Sequence, residues 1–174
     1  EGANNIVIVG GGVVGCETAH WLANEYGKNV TVLEMLPHFM MGVCTANRGH
    51  LLHYLEKSGV RLYNCTKVKA LAKDGVYVEQ NQSQTVPDPY NTWQPLLPPN
   101  IPNPMEKAIK EEIVEKKIPA DLIVLAMGGK ADETFFFEAG EEHLAKEIYN
   151  IGDSSRAGRV LEAVRGAYHL AVRI

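Results

Sequence analysis

The hydrophobic pattern changes period repeatedly along the first sixty residues, and each change marks an element. Ile6-Val7-Ile8-Val9 is a β-branched run without alternation, the pattern of a parallel strand buried on both faces. After the glycine turn the pattern changes period: Val14, Thr18, Trp21 and Leu22 fall at helical spacing, and Gly27 lies where that helix stops. Val30-Thr31-Val32-Leu33 returns to strand character. A second helix is expected over residues 46–58 on the stripe Leu51, Leu52 and Leu55, with Gly59 ending it and Val60 to Tyr63 forming the next parallel strand. Thr66 to Ala72 and Gly75 to Gln80 read as a hairpin around Lys73-Asp74-Gly75.

The second half is less regular. Seven of the nine prolines lie between Asn81 and Pro104, which predicts a long, stiff loop. Pro95 and Pro98 satisfy P-x-x-P, but Tyr90, Trp93, Leu96 and Leu97 favour a loop that lies against its own domain or a neighbouring one. Residues 107–117 fit a helix or a strand; Ile113 to Ile118 is read as the third strand of the hairpin sheet. Asp121 to Ala126 is expected to be a buried strand running into Met127-Gly128-Gly129. Phe135-Phe136-Phe137 is expected to anchor a short segment to the core, Glu147 to Ile151 to form a last strand, and Val160 to Ile174 an amphipathic helix with the stripe Val160, Leu161, Val164, Ala167, Leu170 and Ala171. The fold class is therefore α/β: a Rossmann-like parallel sheet with helices on both faces and a small antiparallel β-meander.

Between the first strand and helix stands G-x-G-x-x-G at Gly10, Gly12 and Gly15. Gly10 permits a sharp turn, Gly12 a close approach of backbone to a pyrophosphate, and Gly15 tight packing of helix on sheet. The helix N-terminus then offers unpaired N–H groups and a partial positive charge. Alone this is weak, since methyltransferases and ordinary tight loops also carry glycine-rich turns. Glu34 adds to it: an acid ends the second strand 19 residues beyond Gly15, near the separation of about 20 at which a carboxylate meets the adenosine ribose. Such a carboxylate repels a 2'-phosphate, and Met35-Leu36-Pro37-His38 brings no arginine at once. NAD(H) is therefore favoured over NADP(H).

Composition narrows this little: 174 residues, 45% hydrophobic and 22% charged, are ordinary for a globular domain, and a formal net charge of −4 gives no basic footprint for nucleic acid. No apolar run approaches the roughly 18 residues of a membrane span, so a cytoplasmic protein is expected. Cys16, Cys44 and Cys65, odd in number and widely spaced, read as buried thiols. His50 and His53 share a helix face but have no third ligand in the sequence, and no metal site is expected.

In order, G-G-G-x-x-G-x-E at Gly10 to Glu17, the acid at Glu34, A-x-G at Ala126 to Gly128 and I-G-D at Ile151 to Asp153 resemble the flavoproteins with two dinucleotide-binding domains. The tail from Gly152 to Ala163 is similar to the C-terminal part of the old-yellow-enzyme-like NADH:flavin oxidoreductases, the 2-enoate and 2,4-dienoyl-CoA reductases. The resemblance implies that Gly10, Gly12 and Gly15 bind the NADH pyrophosphate, with Gly11, Val13 and Val14 also among the cofactor-binding residues. It places Glu34 and Met35 at the ribose, Glu17 at the nicotinamide as a catalytic positioning residue, and Ala126, Met127 and Gly128 at the same cofactor edge. Gly152 and Asp153 would bind FAD in the intact parent. Residues 1–147 would be an NADH domain and 148–174 the returning end of an FAD domain, partnered by the remaining flavin domains of the parent chain, with the C-terminal helix able to pair with a second copy. On its own such a fragment is expected to be inactive. A stand-alone NADH sensor, a simple dehydrogenase and a methyltransferase remain the alternatives.

Overall fold

The computed structural model describes residues 2–93, 96–97 and 100–174. It divides into two compact units, Glu1–Met127 and Gly128–Ile174. Pro95 and Pro98, which carry the P-x-x-P spacing, lie outside the described residues.

In the first unit, β1 (Asn5–Val9), β2 (Asn29–Leu33), β3 (Arg61–Tyr63) and β7 (Leu122–Leu125) form a parallel sheet in the order β3-β2-β1-β7. Ile6 pairs with Val30 on one side and Leu122 on the other. The absence of alternation in β1 has a direct cause: each of its faces supports a separate core. Ile6, Ile8, Val30 and Val32 pack with Cys16 and Ala19 of α1 (Val13–Tyr26), Leu52 and Leu55 of α2 (Thr45–Lys57), and Phe39. Val7, Val9 and Leu33 point the other way, onto Val76, Val78 and Ile118 of the antiparallel sheet. Each such aliphatic side chain contributes about 1.5–3 kcal/mol by burial, and Ile8→Ala would leave a cavity costing about 2–5 kcal/mol.

α1 ends as its sequence predicts: Gly27 is left-handed at φ 59° and the Lys28 N–H bonds back to the Leu22 carbonyl at 3.2 Å. The antiparallel sheet has the order β4-β5-β6, from β4 (Thr66–Ala72), β5 (Gly75–Asn81) and β6 (Ile113–Pro119). The strand reading of 113–118 thus holds, because Val76 and Ile118 are paired and both buried. α1 and α2 both share the first core, so the second face of the parallel sheet is covered by this meander where a helix layer is expected.

Several expectations fail in detail. β7 is not buried: Leu122 and Leu125 are exposed, because the sheet has its edge there. Cys44 is exposed and Cys65 half-buried, so only Cys16 is a buried thiol. In the proline-rich loop Tyr90 packs on the first core, but Trp93 is 93% exposed.

The second unit holds α3 (Thr134–Glu141), a short 3₁₀ turn at Gly152–Ser154 and α4 (Val160–Ala171). Phe135 and Phe137 are exposed, leaving Ala139 as the buried residue of α3. Residues 147–151 form no strand, since the described residues of this unit contain none to pair with. α4 keeps its predicted amphipathic pattern, yet none of its residues is buried.

Candidate functional site

The carboxyl ends of β1, β2 and β7 meet at the glycine turn. The Gly10 N–H donates to the Leu33 carbonyl and the Ala126 N–H to the Val9 carbonyl, both at 2.8 Å. Gly10 has φ 115°, and a Cβ there would lie 2.3 Å from the Ala126 oxygen. A Cβ on Gly15 would lie 2.0 Å from the Gly10 oxygen. Both glycines are therefore imposed by contact, and Gly10 by its conformation as well.

Gly12 is the opposite case. It is exposed, its φ is an ordinary −72°, and a Cβ there would have nothing within 4 Å. Neither strain nor crowding within the described residues requires a glycine at this position. Gly12 also caps α1 without a side-chain hydrogen bond, so the first-turn N–H groups of the helix remain for an external acceptor. Val13 and Val14 follow it and are exposed.

Glu34 is fixed beside this opening. One carboxylate oxygen accepts the Gly11 N–H at 2.8 Å and the other the Leu36 N–H at 2.9 Å. Two backbone donors hold the group in one rotamer, with further lone pairs for hydroxyl donors. Met35 next to it is 65% exposed.

The remaining candidates are placed less informatively. Glu17 is exposed and stands at the fifth position of α1, beyond the first turn, so the helix dipole does not account for it. Ala126 backs Gly10 and Gly15, while Met127 is 68% exposed and Gly128, at φ 83°, begins the second unit. In that unit Gly152 has φ 70° and Asp153 accepts the Gly158 N–H at 3.2 Å. This turn lines a cleft of about 530 Å³ with Arg156, Gly158, Arg159 and Glu162. Arg159 and Glu162 form a capping box at the start of α4, and that pairing holds the Glu162 carboxyl down at about 2. His50 and His53 both pack on the Tyr54 ring, at 4.7 and 5.7 Å between centroids.

Two features escape a sequence reading. Arg48 is 3% exposed and donates to the backbone carbonyls of Phe39 and Asn91 at 3.0 and 3.4 Å. Its signal is positional: it lies on the same helical stripe as Leu52 and Leu55. The Cys16 thiol is pushed up to about 12, first by burial and then by the charge of Glu34, so it stays a neutral packing group under the turn.

A family model described as Pyridine nucleotide-disulphide oxidoreductase matches residues 1–156. Over 169 residues the chain is 27% identical to an NADH oxidase of Thermoanaerobacter brockii, covering 97% of this chain and 21% of that protein. It is 23% identical over 172 residues to a cinnamate reductase of Clostridium sporogenes, again 97% of this chain and 21% of the relative. A solved 2-naphthoyl-CoA reductase superposes on 98% of this chain and 21% of its own, with a TM-score of 0.71 and 24% identity. The chain thus spans about a fifth of the length of these relatives.

Proposed function

Since the chain belongs to the pyridine nucleotide-disulphide oxidoreductase family, we propose that it is the NADH-binding part of a larger FAD-dependent oxidoreductase, holding the nicotinamide for hydride transfer to a flavin. The observation that carries this reading is the contrast among the glycines. Gly10 and Gly15 are locked by contact, whereas Gly12 faces open space beside a carboxylate fixed at the ribose distance along the chain.

In this reading Gly11, Gly12, Val13 and Val14 hold the pyrophosphate against the start of α1. Glu34 accepts the ribose hydroxyls and disfavours a 2'-phosphate, with Met35 covering the adenosine side. Ala126 and Met127 complete the edge, Gly128 lets the chain leave it, and Glu17 orients the nicotinamide. The nicotinamide supplies the hydride; the residues here bind, orient and exclude water, and positioning of that kind carries much of the rate.

Residues 1–147 are assigned to this NADH domain and 148–174 to part of an FAD domain, in which Gly152 and Asp153 would meet the flavin nucleotide. The exposed stripe of α4 suits cover by the rest of such a domain or by a second copy. A cinnamate reductase and a 2-naphthoyl-CoA reductase among the relatives support a parent that reduces an unsaturated acid or thioester. Among the described residues no helix is long and apolar enough to cross a membrane, and a cytoplasmic enzyme fits the reading. Calorimetric titration of the full chain with NADH and NADPH tests it. Tighter NADH binding is expected; tighter NADPH binding would overturn the role of Glu34.

A further inference from the structure

We propose that Arg48 is a positioning residue of the dinucleotide site, which fixes the direction of the Gly12 N–H through two successive peptide groups. This rests on the reading of the glycine turn as that site. The Arg48 Nε donates to the Phe39 carbonyl at 3.0 Å. The Phe39 carbonyl and the Met40 N–H belong to one peptide group, and that N–H donates to the Gly11 carbonyl at 2.8 Å. The Gly11 carbonyl in turn shares a peptide group with the Gly12 N–H. Every peptide bond described is trans, so carbonyl and N–H point in opposite directions in each group. Gripping Phe39 from one side therefore aims Met40 at Gly11, and gripping the Gly11 carbonyl turns the Gly12 N–H to the side opposite Met40, at a residue that is itself exposed.

Two further observations show that this arrangement is held rather than relaxed. Met40 has φ 53°, a left-handed conformation that a residue with a branched or long side chain adopts only under outside constraint. Arg48 is buried without a carboxylate at ion-pair distance among the described residues. Its partners are neutral carbonyls of Phe39 and Asn91, an arrangement that costs desolvation with little Coulombic return. Burial accordingly lowers its proton affinity, although a guanidinium stays charged at neutral pH. Leucine at this position would serve the α2 stripe better; a fork of donors serves the turn.

The test compares dissociation constants for NADH and for ADP-ribose, together with thermal unfolding midpoints, in the full chain and in R48M, R48K and V78A. Val78 lies in the other core, so V78A controls for loss of stability alone. R48M is expected to bind both ligands about tenfold more weakly, as loss of a charged hydrogen bond predicts, and R48K to recover part of the loss. V78A should lower the midpoint and leave both constants unchanged. If R48M does not fold, R48K against V78A decides in the same way. Arg48 variants that bind no more weakly than V78A overturn the positioning role and leave the proposed function standing. A wild-type chain that binds neither ligand removes both.

Discussion

Glu34 and Gly11 are joined by a 2.8 Å hydrogen bond from the glycine N–H to the carboxylate, which makes the end of β2 and the turn after β1 one rigid piece. The carboxylate proposed to discriminate at the ribose is thus the same group that braces the turn. Glu34→Gln removes the charge and keeps one acceptor oxygen, so it can hold only one of the two backbone donors. The NADPH affinity of this variant should rise relative to NADH by about tenfold, equivalent to about 1.4 kcal/mol. An unchanged NADH to NADPH ratio in parallel titrations would show that the charge takes no part in selection.

Gly12 and Gly15 separate binding from folding. Gly12→Ala adds a methyl group to open space at an ordinary φ, so stability should change by no more than about 0.5 kcal/mol. Gly15→Ala drives a Cβ into the Gly10 oxygen and should cost about 1–3 kcal/mol or more. Urea unfolding and NADH titration on both variants check this. The idea fails if Gly12→Ala binds NADH as well as the wild type does.

The proline-rich loop is tied to β3 by one phenol. Tyr90 donates its hydroxyl proton to the Val60 carbonyl and accepts the Leu62 N–H at 3.2 Å, beside two residues that are themselves buried. Tyr90→Phe leaves both backbone groups without this partner and should destabilise the chain by about 1–3 kcal/mol. A denaturant midpoint equal to that of the wild type would show that the loop is not fastened there.

His38 sets a pH dependence. Burial first, and then the Arg48 charge, lower its affinity for a proton below the ordinary 6.5, while Glu106 at 3.9 Å opposes them weakly. The unfolded chain therefore takes up this proton before the folded one. The contribution to stability is present above the unfolded value and is lost as pH falls from about 6.5 through the lower folded value. Melting curves between about pH 7.5 and pH 5 should fall more steeply for the wild type than for His38→Gln. Parallel slopes would exclude His38 as the source.

What the sequence makes legible follows from how local each cause is. The Gly10 to Gly15 turn, the Gly27 cap and the Glu34 strand end are written in short stretches whose conformation or spacing has few alternatives. The three strands of the meander could be read from turn chemistry and from the pairing needs of Ile113 to Ile118. Arg48 was hidden because a cation within an apolar stripe looks like a solvated interruption, and only the fold brings the Phe39 carbonyl to it. Trp93 and the Phe135 to Phe137 run misled for the reverse reason. An apolar side chain specifies burial only where another element arrives to cover it, and none does within the described residues of its unit.

The strand order β3-β2-β1-β7 places the first and last strands of the unit side by side, with Ala126 closing on Gly10. The glycine turn precedes α1, yet its rear wall follows α1, α2, the meander and the proline-rich loop in the sequence. Such a turn needs a contact between residues far apart in sequence to take its full shape. It acquires its form in the final long-range closure, when the entropy of the whole intervening chain has already been overcome. The dinucleotide proposed for this turn would therefore report completed folding, and its binding would stabilise the unit as a whole rather than the loop it touches.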